Sequence, residues 1–170
     1  MKEDRPKLKI TFGTAEKTLL VLSIAAHLLL WAVVVFAYSK LPEIVPTHFN
    51  FKGEADQYGG KGTLFLLPAF SLVLTISFLL LSRIPHVYNY PVSITKANAG
   101  RIYRLGTRLM LSITLMLNLL FQSFELMMIM SMFKPERHFP VWQVLIPVAV
   151  FLVVLFLLIR KMKNTGKVSL

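Results

Sequence analysis

Residues 18–38 read TLLVLSIAAHLLLWAVVVFAY, twenty-one positions without a single Asp, Glu, Lys or Arg. At ~1.5 Å of rise per residue such a run crosses the ~30 Å of hydrocarbon in a bilayer, so it reads as a membrane span. Three further apolar runs of similar length lie outward from it, at residues 63–82, 109–132 and 141–159. The 170-residue chain is 55% hydrophobic and 16% charged, which excludes an ordinary soluble domain. The expected fold class is all-α: four transmembrane helices and a structured extracellular loop between helices one and two. A cytoplasmic segment over 1–17 and a basic tail over 160–170 complete the expected organisation.

Nineteen Lys and Arg against eight Asp and Glu give a formal charge of +11. Five cations fall in residues 1–17, three in 39–62, five in 83–108, two in 133–140 and four in 160–170. With both termini and the second connection on one side, fourteen cations face one surface and five the other. The positive-inside rule then places both termini in the cytoplasm. The excess charge reads as a surface toward anionic lipid, and no nucleic-acid partner is expected. The first run is longer than the ~7 to 15 apolar residues of a signal peptide and is expected to remain as an anchor. There is no cysteine, so thiol chemistry and disulfides are excluded. No repeat relates the two halves, which speaks against an inverted-repeat transporter.

Residues 39–62 read SKLPEIVPTHFNFKGEADQYGGKG. Pro42 and Pro46 deny helix, and Gly53, Gly59, Gly60 and Gly62 permit tight turns, so the stretch is expected to be folded. Phe49, Phe51 and Tyr58 suit the headgroup level, leaving His48, Asn50, Asp56 and Lys61 as a polar set able to bind one another or a ligand. The spacing of Pro46, His48, Asn50, Gly53, Asp56 and Lys61, preceded by Leu41 and Pro42, resembles a bacterial membrane-domain family of unknown function, the one that forms the N-terminal half of the toxin-immunity protein SdpI. Residues 103–109 are similar to a later segment of that family, and no stretch resembles SdpI's second domain. The resemblance implies a multi-pass protein of the bacterial plasma membrane with an immunity-like, protective role against a membrane-active, hydrophobic peptide or toxin.

A metal reading of the loop would use His48 and Asp56, with His138 from the short connection over 133–140. No HExxH or paired-histidine spacing accompanies them, and neither metal nor cofactor is expected. Ser39 lacks a nucleophile-elbow setting, and Glu43, Glu54 and Asp56 have no evident cleft, so an outer-loop hydrolase ranks third among the functional readings and no enzyme is expected.

Inside the third run Thr114, Asn118, Gln122 and Glu125 follow steps of four, four and three, one stripe on a helix. His27 and Asn118 each lie nine residues into their spans, ~13 Å deep, whereas Glu125 lies ~24 Å in, toward the outer face. His27 is thus expected to meet Asn118, and Lys61 or His48 to reach down and neutralise Glu125, making the loop a lid. Amides packed as interhelical glue, at ~0.6 kcal/mol per bond, stand as the plain reading beside a proton or ion pathway, and a proton- or solute-coupled transporter is the alternative function. In the connection over 83–108 helix is permitted from about Ser93. Arg101, Arg104 and Arg108 would there present guanidinium groups to lipid phosphates, or a cytoplasmic regulator would dock on the same face. The methionines of the third run, Met110, Met116, Met127, Met128, Met130 and Met132, read as adaptable packing surface.

Overall fold

The computed structural model describes residues 5–133 and 142–167. Four helices carry the fold: α1 (Thr14–Tyr38), α2 (Leu66–Leu81), α3 (Ala99–Phe133) and α4 (Trp142–Lys167). Each is long and apolar enough to cross a membrane, α2 together with the 3-10 turn Lys61–Phe65 that leads into it. Strands β1 (Ile44–Phe49) and β2 (Ala55–Gly60) join α1 to α2 as an antiparallel hairpin.

One stripe of each helix faces inward. On α1 it is Glu16, Ser23, His27, Leu30, Val34 and Ala37, and on α3 it includes Leu111, Thr114, Asn118, Gln122, Glu125 and Met128, all at helical spacing. α2 adds Pro68, Ser71 and Thr75. Large apolar side chains such as Leu28, Phe36, Phe70 and Leu80 point outward, as a lipid-facing surface requires. The four expected spans are all present as helices, but they do not share the interior equally. α1, α2 and α3 share the interior, while α4 lies along α3 and buries only Met162 among its described residues. Residues 144–159 of α4 hold no polar side chain, so no interhelical hydrogen bond draws that stretch inward.

Two apolar clusters close the ends. At the hairpin end Val34 and Ala37 of α1 and Met128 and Ile129 of α3 pack with Leu41, Val45 and Leu64. At the other end Ile102, Tyr103 and Leu105 of α3 gather Ile94, Met162 of α4 and Ile10 of the N-terminal segment, so the stretch before α1 and the last turns of α4 lie at the same end of the bundle. Arg5 there donates to the Tyr88 carbonyl at 2.5 Å, and the Arg83 guanidinium lies 4.1 Å from the Phe12 ring centre. Burial pushes the Tyr88 and Tyr90 phenols well above their ordinary range, so both remain donors, to the Leu81 and Pro85 carbonyls at 2.5 and 2.8 Å. Gly106 lets α3 approach the Tyr90 ring so closely that a Cβ would collide with it.

α3 begins at Ala99, ten residues ahead of the expected span at 109 and six after helix became permitted, and it runs unbroken for 35 residues, so the interfacial helix expected before the span is its continuous first part. The start is set by reciprocal bonds. Thr95 N–H donates to Asn98 Oδ1 at 2.9 Å, Asn98 N–H to Thr95 Oγ1 at 3.3 Å, and the Asn98 carbonyl accepts Ile102 N–H at 3.0 Å.

Candidate functional site

The hairpin's shape follows from its special residues. Pro46 on β1 has no N–H for the ladder, and directly after it the register slips: Pro46 opposes Tyr58, and His48 opposes Gln57, with Thr47 left over. A second slip leaves Asp56 unpaired between Gln57 and Ala55. The two irregularities bring His48 and Asp56 together, Nδ1 to Oδ1 at 2.6 Å, on an exposed face. At the tip Gly53 takes φ 78°, a conformation costly for any residue with a Cβ. Asn50 Oδ1 accepts the N–H groups of Lys52 and Glu54 at 2.9 and 3.1 Å, while its Nδ2 donates to Glu54 Oε2 at 2.8 Å. Lys61 Nζ pairs with Glu43 Oε1 at 2.9 Å and lies 4.8 Å from the centre of the Tyr38 ring.

The polar set expected as one constellation is therefore three separate staples: His48 with Asp56, Asn50 with Glu54, and Lys61 with Glu43. None of them reaches Glu125. The expected neutralisation of that carboxylate by Lys61 or His48 does not occur, because each of the two side chains has a nearer acid and the apolar layer of Val45, Leu64, Met128 and Ile129 lies at this end of the bundle. His138 lies outside the described residues. Among those described, no three His, Asp or Glu side chains gather in a metal-binding group.

Within the helices the polar residues form one network. Asn118 Oδ1 accepts Ser71 Oγ at 2.6 Å and Thr75 Oγ1 at 3.4 Å, and its Nδ2 donates to Thr75 Oγ1 and the Thr114 carbonyl, both at 3.0 Å. Both lone pairs and both N–H groups of the amide are thus engaged. His27 Nδ1 stands 3.2 Å from Ser71 Oγ. The single Ser71 proton goes to Asn118, so the ring must carry hydrogen on Nδ1 and donate to Ser71. His27 is joined to Asn118 as the depth arithmetic anticipates, but through Ser71. Ser71 and Thr75 escaped the sequence reading, although two hydroxyls four residues apart on one helical face were a visible signal. Thr114 also returns its own hydroxyl to the Met110 carbonyl at 3.0 Å.

Replacing Asn118 by Leu should lower stability by about 2 kcal/mol, because the Ser71 and Thr75 hydroxyls lose their acceptor in a dry interior. Denaturant titration of the purified protein in micelles checks this. An unchanged midpoint would mean that the network carries no stability.

Beyond Asn118 the stripe changes character. Gln122 is 8% exposed and Glu125 0%, yet Gln122 Oε1 and both Glu125 carboxylate oxygens have no hydrogen-bond partner among the described residues. Toward the other end Arg108 Nε donates to Glu16 Oε1 at 2.5 Å, and Glu16 Oε2 accepts Gly13 N–H at 2.8 Å. The expectation that Arg108 faces lipid phosphates beside Arg101 and Arg104 is corrected, since Arg108 is committed to a buried acid on α1. Glu16 was not singled out in the sequence because it precedes the apolar run.

The family described as Domain of unknown function (DUF1648) matches residues 25–72, the second half of α1, the hairpin and the first part of α2. Both His27 and Ser71 fall within it. A protein of Archaeoglobus fulgidus described as uncharacterized is 43% identical over 83 residues, covering 44% of this chain and 45% of the relative. The chain thus spans less than half the length of that curated relative. No solved structure matches. By its four apolar helices this chain is a multi-pass membrane protein, and it is similar to a domain family of unknown function over the segment that holds the hairpin.

Proposed function

We propose that the protein is a non-enzymatic binding protein of the cell membrane whose hairpin recognises a hydrophobic, membrane-active peptide and so protects the cell. The observation that carries this reading is the hairpin's division of labour. Val45, with Leu64 of the following 3-10 turn, anchors it on α1 and α3, His48, Asp56, Asn50 and Glu54 are spent on internal staples, and Ile44, Phe51 and Tyr58 are left exposed. A rigid loop with outward apolar side chains has a ready contact surface at little ordering cost. The likeness of Pro46, His48, Asn50, Gly53, Asp56 and Lys61 to the domain carried by SdpI supports the reading. So does the charge asymmetry, which would set both termini in the cytoplasm and the hairpin outside.

The test is survival of a sensitive bacterial host under membrane-active peptides, with the chain expressed or absent. Wild type should raise survival, while Phe51→Ser with Tyr58→Ser should abolish the gain at equal membrane levels. Equal survival with and without the chain would sink the proposal.

A second reading, proton- or solute-coupled transport along the α3 stripe, is favoured by one specific observation. Among the described residues, the buried Gln122 carbonyl and Glu125 carboxyl lack partners, one and two turns beyond a fully satisfied network. Buried ionisable groups in membrane helices mark ion and proton paths more often than packing.

A further inference from the structure

We infer that the seam between α3 and α4, at the end holding the stretch before α1 and the last turns of α4, binds one phosphate-bearing membrane lipid, headgroup in a basic basin and acyl chain in an apolar groove. The basin is a cavity of about 750 Å³ whose wall includes Lys9 of the N-terminal segment, Lys96 just ahead of α3, Arg101 and Arg104 in its first turns, and Lys161 of α4. An adjoining cavity of about 510 Å³ shares Arg101 and Lys161 and adds Arg160. No acidic side chain lines either cavity. Among the described residues none of these cationic side chains has an ion-pair or hydrogen-bond partner, whereas Arg108 at the basin's edge is paired with Glu16. Convergent unpaired cations on three separate elements repel one another, and a phosphate group supplies the compensating charge.

A membrane lipid is singled out from free phosphate by what continues the seam. On α3 the positions Arg101, Arg104 and Arg108 pass at steps of three and four into Ser112, Leu115 and Leu119. On α4 Thr165, Lys161 and Leu157 pass likewise into Val154, Val150 and Pro147. The deeper members of both rows line an apolar groove of about 260 Å³ with Leu19 of α1 at its side. From Arg108 to Leu119 the seam descends ~16 Å, about half of the ~30 Å hydrocarbon core and hence one leaflet. A cationic mouth over a leaflet-deep apolar groove matches an amphipathic anion, and basic pockets between membrane helices are known seats of anionic headgroups. Reading Arg101 and Arg104 as general surface contacts with lipid would require neither the cavity nor the groove beneath it.

The experiment is native mass spectrometry of the full chain in neutral detergent, titrated with dioleoyl phosphatidylglycerol and, separately, with inorganic phosphate. Wild type should retain one lipid saturably. Arg101→Gln with Arg104→Gln should weaken that binding roughly ten-fold or more, since each cation near a headgroup contributes comparably. Lys40→Gln with Lys52→Gln, which removes two charges at the hairpin end, should leave it unchanged. Ser112→Trp, which fills the groove, should also weaken lipid retention, so the site is probed by a second variant that removes no charge. Equal loss in both charge variants would overturn the inference in favour of nonspecific attraction. Inorganic phosphate binding as tightly as the lipid would overturn the assignment of a lipid.

Discussion

Glu125→Leu should make the protein more stable, by about 3 kcal/mol, the upper end of the cost of burying a polar group without a hydrogen-bond partner. Such a gain is unusual, since most substitutions at buried positions destabilise. It is expected here because Glu125 is fully buried while neither carboxylate oxygen has a partner among the described residues. Leucine keeps a similar bulk against Met128 and Ile129 and leaves nothing unsatisfied. Denaturant titration in micelles reads the shift directly. A loss of stability would show that the carboxyl has a partner after all, and the idea of an unpaired acid would fall. The same variant separates the functional readings. If Glu125 carries a proton or a cation, vesicles containing wild type should show flux driven by a pH gradient, and vesicles containing the stabilised Glu125→Leu should show none. Stability gained while activity is lost is the signature of a group retained for function. If neither protein moves protons, the transport reading has lost the observation that favours it.

The second large effect is expected at the opposite end. Arg108→Leu should lower stability by about 2 kcal/mol, because it leaves the fully buried Glu16 carboxylate with only the Gly13 N–H. Breaking a deeply buried pair costs roughly 3 to 5 kcal/mol, but Arg108 is 29% exposed and water at its side softens the loss. The control is the double change Glu16→Met with Arg108→Leu. Replacing both members by apolar groups should recover most of the loss, to within about 1 kcal/mol of wild type, since no charge then remains unpaired. If the double variant is as unstable as Arg108→Leu alone, the ion pair is not the reason α1 and α3 hold together at this end, and capping of α1 by Glu16 becomes the better account.

The two predictions share a logic in which polar groups at different depths do different work. The Asn118 network is complete, so it specifies how α1, α2 and α3 meet. The Glu16 with Arg108 pair fixes one end of the same interface. Glu125, with the Gln122 carbonyl one turn before it, is the exception, and it lies between the completed network and the apolar cluster under the hairpin.

Much of this was legible in residue order. The four apolar runs announced four helices because a bilayer demands about twenty residues of internally bonded backbone, a constraint that depends on composition and length and scarcely on neighbours. The folded connection between α1 and α2 was readable for a similarly local reason, as Pro46 forbids a ladder donor and Gly53 alone tolerates the positive φ at the tip. The stripe of Thr114, Asn118, Gln122 and Glu125 was readable because a helix repeats every 3.6 residues. Partner choice was not. Lys61 had Glu43, Glu125 and Asp56 as plausible acids in the sequence, and only packing set Glu43 at 2.9 Å while interposing an apolar layer before Glu125. Arg108 resembled Arg101 and Arg104 by spacing, yet it alone meets Glu16, a residue 92 positions earlier. Ser71 became the bridge from His27 to Asn118 because α2 packs against α3 at that depth. Local physics chooses the element, since its forces act within a few residues. Which side chains end up within 3 Å depends on how helices far apart in the chain cross, and that is settled only when their surfaces pack together.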